Sequence, residues 1–97
     1  MPTFVSLVNW TEQGIRSFKD TPKRADAFAE LLQQKGGMVK DIFWTLGAYD
    51  IVVIAEAPDA ETITATMLQL GAMGNVRTTT LHAFTKDEIT KIISKAG

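Results

Sequence analysis

The chain has 97 residues, 45% of them apolar and 22% charged, with ten basic and eleven acidic side chains that leave a formal charge of −1. That balance excludes disordered and collagen-like classes, and basic residues this scattered exclude a nucleic-acid surface, which needs clustered lysine and arginine to release phosphate counterions. The lack of cysteine excludes disulfides, a thiol nucleophile, iron–sulfur ligation and thiolate zinc sites, while no apolar run approaches the roughly 20 residues of a membrane span.

A chain of this length reads as one domain over residues 1–97, with a core thin enough to favour sharing with a second copy. Met-Pro-Thr-Phe enters a strand with no basic leader and cleavage site, so a soluble, cytoplasmic protein is expected. From Thr3 to Trp10, Phe4, Val8 and Trp10 share one face, while Val5 and Leu7 share the other. Apolar residues on both faces predict a strand covered on both sides. Thr11 then caps a short turn through Ile15 and Phe18, interrupted by Gly14. Asp20-Thr21-Pro22 is a helix start, and Ala25, Phe28, Ala29 and Leu32 make one helical stripe that Gly36-Gly37 ends, giving a helix over 22–35. Lys23-Arg24 reads as the solvated start of that helix.

Two strands follow, 38–46 and 49–57, with Gly47-Ala48 as a two-residue loop of the type II′ kind. That register sets Leu46 opposite Tyr49, Trp44 opposite Ile51 and Ile42 opposite Val53 on one face, with Phe43 opposite Val52 and Asp41 opposite Ile54 on the other. Pro58-Asp59 opens a second helix whose stripe is Ala60, Ile63, Met67 and Leu70, ended by 71–75. A last strand over 76–84 holds three successive threonines, which favour a half-exposed ladder. Thr85 to Glu88 is a capping box, with Phe84 and Ile89 at the staple positions. Ile89, Ile92, Ile93 and Ala96 then form an apolar stripe on a C-terminal helix, about 85–96, that needs somewhere to dock.

The order β-α-β-β-α-β with right-handed crossovers predicts an α+β, ferredoxin-like sandwich. Its antiparallel sheet has the order 4-1-3-2, and both long helices lie on one face. The first and third strands are then central, and they are the two with apolar residues on both faces. The other face stays open around Phe43, Val52 and Ile54. A sheet-to-sheet dimer, or the C-terminal helix folded back, would cover it.

The strings NWTEQG (9–14), GAYD (47–50), LGAMGNVRT (70–78) and LHAF (81–84) together resemble the GYD domain family, in order and over nearly the whole chain. The resemblance implies a domain of the dimeric α+β barrel type without an established activity. GAYD and GNVRT are also similar, more faintly, to the ligand-sensing domain of leucine-responsive-type regulators. Those domains dimerise through their sheets and bind small effectors between dimers; with no helix-turn-helix read ahead of the domain in these 97 residues, direct transcriptional control is not expected.

Six residues are candidates for a site, each with a structural alternative. His82 is the lone histidine, which suits a base or axial ligand but equally a hydrogen-bonded strand residue. Tyr49 and Asp50 follow the loop and offer a donor and a polar contact, or simple turn bonding. Asn75 either lines a site or takes the left-handed conformation at a helix end. Arg77 could clamp a carboxylate or pair with an acid of a partner subunit, and Trp10 could wall a pocket with Trp44 or pack in the core. No nucleophile–base pair, phosphate loop or metal spacing appears, so no cofactor and no metal are expected. The reading is an oligomeric module that binds a small anionic or aromatic ligand or assembles with itself. The alternative is a cofactor-free monooxygenase or isomerase with its cavity between sheet and helices.

Overall fold

The computed structural model describes residues 1–97. Four strands form an antiparallel sheet, β1 (Thr3–Trp10), β2 (Met38–Trp44), β3 (Ile51–Glu56) and β4 (Val76–Ala83), in the spatial order β2-β3-β1-β4. The helices are α1 (Glu12–Arg16), α2 (Thr21–Gln34), α3 (Ala60–Ala72) and α4 (Lys86–Ala96), with a 3₁₀ turn over Phe18–Asp20 before α2. This is the α+β ferredoxin-like arrangement and the strand order expected from the alternation. The buried core, including Phe4, Val8, Val53, Phe28, Leu32 and Ile63, lies between one sheet face and α2 with α3. Alternation of buried and half-buried residues along β1 and β3 confirms that their even-numbered and odd-numbered residues, respectively, face the helices.

Capping chemistry accounts for most element ends. The Thr11 side chain accepts from the Gly14 amide and Asp59 accepts from the Thr62 amide, each starting its helix. Asp20 does not cap α2. It ends the 3₁₀ turn in a helical conformation (φ −89°, ψ −1°), so its side chain cannot reach forward. Gly74, at φ +83°, takes the left-handed position after α3, and no non-glycine residue has positive φ. Asn75 is thereby released from the conformational role that its place at the helix end suggested.

The β2–β3 link also differs from the expected tight turn. The register of Trp44 with Ile51 and Ile42 with Val53 holds, but the strands stop there and Leu46 and Tyr49 do not pair. The Asp50 amide donates to the Val8 carbonyl (2.8 Å) and its carboxylate accepts from the Trp10 amide (2.9 Å), so Asp50 is drawn onto β1. Thr45 closes the resulting six-residue loop, its amide donating to the Asp50 carbonyl and its hydroxyl to the Tyr49 carbonyl. Further along, a bulge at Lys40 shifts the register.

α4 carries the reciprocal capping box foreseen at Thr85 and Glu88. The Glu88 amide donates to Thr85 Oγ1 (3.1 Å) and the Thr85 amide to Glu88 Oε1 (2.8 Å). The Thr85 amide holds the Glu88 carboxyl below its ordinary value, helped by the Thr85 hydroxyl. A carboxyl with a lowered folded-state pKa contributes stability above its unfolded value, and that contribution is lost as pH falls through the folded one. The protection factor of the Thr85 amide should therefore drop, and α4 fray from its N-terminus, as pH falls below the usual glutamate range. Thr85 protection that stays constant down to pH about 2 would show that the carboxylate plays no part in the cap.

Candidate functional site

Three of the four quoted motifs converge at one end of the sheet, where the β1–α1 turn meets the α3–β4 turn, while LHAF ends β4 at the other. The Thr11 amide donates to the Asn75 carbonyl (3.0 Å) and its hydroxyl to the Gly74 carbonyl. Gln13 Nε2 donates to the Met73 carbonyl (3.1 Å) and to Asn75 Oδ1 (3.0 Å). Gly14 is buried against this turn, and a β-carbon built on it would overlap the Asn75 carbonyl oxygen. With Asp50 holding the Trp10 amide, residues from NWTEQG, GAYD and GNVRT form one joint. Its bonds are mostly to backbone, so these motif residues position chain segments.

Beside the joint, between α2, α3 and the helix-facing side of the sheet, lies a half-open cavity of about 290 Å³. Its wall is mostly apolar, with Trp10, Phe28, Ile42, Met67 and Leu70 on it. Arg24, on α2, stands at the joint end. Its Nη1 donates to the Ser17 carbonyl and hydroxyl (3.1 and 2.9 Å), and its Nη2 donates to the Gly14 carbonyl (3.1 Å). A guanidinium has five N–H donors, so two remain unengaged, and no carboxylate forms an ion pair with it. Trp10 Nε1 is buried without any hydrogen-bond partner. An unmet buried donor costs about 1–3 kcal/mol. Trp44, the other indole, is satisfied by Thr21 Oγ1 at 3.0 Å.

Within one chain the six residues singled out in the sequence are not brought together. Trp10 and Asn75 line the cavity, and Asp50 adjoins it through its bond to Trp10. Tyr49 sits in the β2–β3 loop, 37% exposed. Arg77 alternates with buried Val76 and opposes Asn9, which puts it on the open sheet face, away from the cavity. His82 lies toward the opposite end of the sheet, stacked on Phe84 (centroids 4.6 Å apart) and beside Phe4 (5.0 Å). No three His, Asp or Glu side chains cluster anywhere in the chain. Sequence reasoning missed Arg24, which its spacing of four residues before Phe28 places on the core-facing side of α2. It also missed Gly14, treated as an interruption when its missing side chain is what lets the two turns meet.

The open sheet face forms a second feature. Across the strands its rows read Phe43–Val52–Leu7–Thr79 and Asp41–Ile54–Val5–Leu81. Polar residues border this apolar centre: Arg77 and Asn9 at one end, and the Lys40–Glu56 ion pair (3.6 Å) at the other. Phe43 is 53% exposed and Leu81 49%. α4 does not fold back over the face. It has no buried residue, and Ile89, Ile92 and Ile93 stay exposed. The radius of gyration is 14.4 Å with a long axis of 50 Å, against about 12.5 Å expected for a compact chain of this length. α4 projects.

A family model described as the GYD domain matches residues 4–93. The glutamine synthetase and cystathionine beta-lyase binding protein of Thermus thermophilus is 37% identical over 84 residues, which cover 86% of this chain and 88% of that protein. Among solved structures, TTHA0845, also from Thermus thermophilus, superposes with a TM-score of 0.54 at 25% identity, covering 88% of this chain and 95% of that one. MtbAldR gives a TM-score of 0.60 at 17% identity over 88% of this chain and 52% of its own, a likeness of fold. No helix of the chain is long and apolar enough to cross a membrane.

Proposed function

The chain belongs to the GYD domain family, and from that premise we propose that it is a binding and assembly module, joined to a second copy through the open sheet face. The observation that carries this reading is the apolar centre of that face, Phe43, Val52, Leu7, Ile54 and Leu81, rimmed by charge of both signs. Patches of this kind mark protein–protein contact. A mixed rim gives a self-complementary interface its register, and Arg77 pairs there with an acid of the second copy. The named role of the Thermus thermophilus relative supports enzymes as further partners, with α4 and the outer helix surfaces as the places to meet them. The module works as one domain over residues 1–97, and its cysteine-free composition fits a reducing compartment such as the cytoplasm.

Sedimentation at micromolar concentration tests the self-association, with a dimer or larger species expected. A monomer at that concentration ends this reading. Binding to the glutamine synthetase and the cystathionine beta-lyase of the same organism tests the enzyme partners separately. Deleting residues 86–97 should leave the sheet and α2–α3 core folded, since α4 buries nothing there, but should change the oligomer or abolish enzyme binding. If both are unchanged, the isoleucine stripe has no partner.

A further inference from the structure

We propose that the cavity between α2, α3 and the sheet binds a small carboxylic acid with an apolar body, its carboxylate at the Trp10 and Arg24 end. This goes beyond assembly and does not depend on it, because the cavity opens on the helix side and not on the open sheet face. The volume, about 290 Å³, lies at the lower limit of ligand pockets, which run from about 300 to 1,000 Å³. That admits a molecule the size of a branched-chain or single-ring acid and excludes a nucleotide.

Polarity fixes the orientation of such a ligand. At the Arg24 corner of the joint end the free hydrogen-bonding capacity is donor capacity, and the one carboxylate of the joint, Asp50, is engaged by the Trp10 amide. Trp10 Nε1 has no partner, Arg24 keeps two donors and an unneutralised charge, and the Asn75 side-chain nitrogen makes no bond. Acceptors near them are already engaged, Asn75 Oδ1 by Gln13 and the Ser17 and Gly14 carbonyls by Arg24. Glu30, the acid on the cavity wall, lies six residues further along α2, about 9 Å by helical rise. An anion is therefore drawn to the Arg24 end and repelled from the other. Backbone carbonyls hold the guanidinium in place, so little side-chain entropy is lost on binding. The wall beyond, Phe28, Ile42, Met67 and Leu70, takes the hydrocarbon.

The test uses the full chain with Trp44 replaced by Phe, so that Trp10 is the sole indole reporter. It is titrated with 3-phenylpropionate and 4-methylpentanoate and, in parallel, with their neutral amides. The expected result is saturable change in Trp10 emission, with at least one acid binding about tenfold or more tightly than its amide. Calorimetry on the Trp10→Phe and Arg24→Met variants should show that preference reduced about tenfold or lost. Trp10→Phe keeps an apolar ring and isolates the N–H, so it serves if Arg24→Met fails to fold. Acid and amide binding equally, neither acid binding, or affinity unchanged in Trp10→Phe would each overturn the proposal. So would acid binding seen only after deletion of residues 86–97, which would identify α4 of a neighbouring copy as the natural occupant. A sedimentation result of monomer leaves this test intact, so the two readings fail separately.

Discussion

Val52→Glu should convert the self-associated protein into a folded monomer. Val52 occupies the middle of the open face on a central strand, between Phe43 and Leu7. Two copies of the carboxylate would enter a sheet-to-sheet interface, and an unpaired buried charge costs several kcal/mol. A loss of about 4 kcal/mol raises a dissociation constant about a thousandfold, which moves a micromolar dimer to millimolar. Within one chain the side chain is only half-buried, so the cost to the fold is about 1 kcal/mol or less, the range of strand propensity. Sedimentation combined with circular dichroism separates the outcomes. Retained fold with loss of the dimer supports the interface, and an unchanged dimer removes Val52 from it.

Gly14→Ala should cost a large share of the fold's stability, although it adds one methyl to a residue in a five-residue helix. The new carbon would overlap the Asn75 carbonyl oxygen, and a backbone atom cannot swing aside as a flexible side chain can. Relief requires the two turns to separate, which breaks the Thr11 bonds to Asn75 and Gly74 and strains those from Gln13. Overpacking at about 1–3 kcal/mol, with at least one buried group left unpaired at a similar cost, gives about 3–5 kcal/mol. Against about 5–15 kcal/mol for a whole chain of this size, that is a large share. Thermal unfolding should fall by about 12 °C or more. A fall below about 3 °C would mean the turns part freely and the joint contributes little. Thr11→Val, which removes the hydroxyl bonds and adds no clash, should give a smaller loss of about 1–2 kcal/mol.

The fold was readable because its determinants are local and periodic. Alternation set β1 and β3, capping residues set α3 and α4, and the order of elements set the topology. Asp20 and the β2–β3 loop escaped because each depends on a neighbour far along the chain or on the preceding turn. Asp50 is captured by Val8 and Trp10, about forty residues away in sequence, and no spacing rule encodes that. The site was legible in part. Trp10 and Asn75 do line a cavity, but the cation beside them is Arg24, and Arg77 faces the other way. Strand parity assigns Arg77 to the open face once Val76 is known to be buried. The joint shows why the motif strings were easier to recognise than to interpret, since their side chains mainly hold backbone.

Symmetry treats the two unpartnered surfaces of this chain differently. A sheet face that meets its own copy is used up in a pair, and growth stops at two. α4 projects from the domain with its isoleucines exposed, so whatever they meet belongs to another copy or another protein. A helix reaching into a neighbour is a head-to-tail contact, which either closes into a ring or runs on as a filament. Were α4 to make such a contact, the angle at Thr85, where the capping box and the ring of Phe84 stacked on His82 meet, would select between a finite particle and an open chain. His82, stacked on Phe84 at the root of α4, would then matter as part of the bracket that aims the helix.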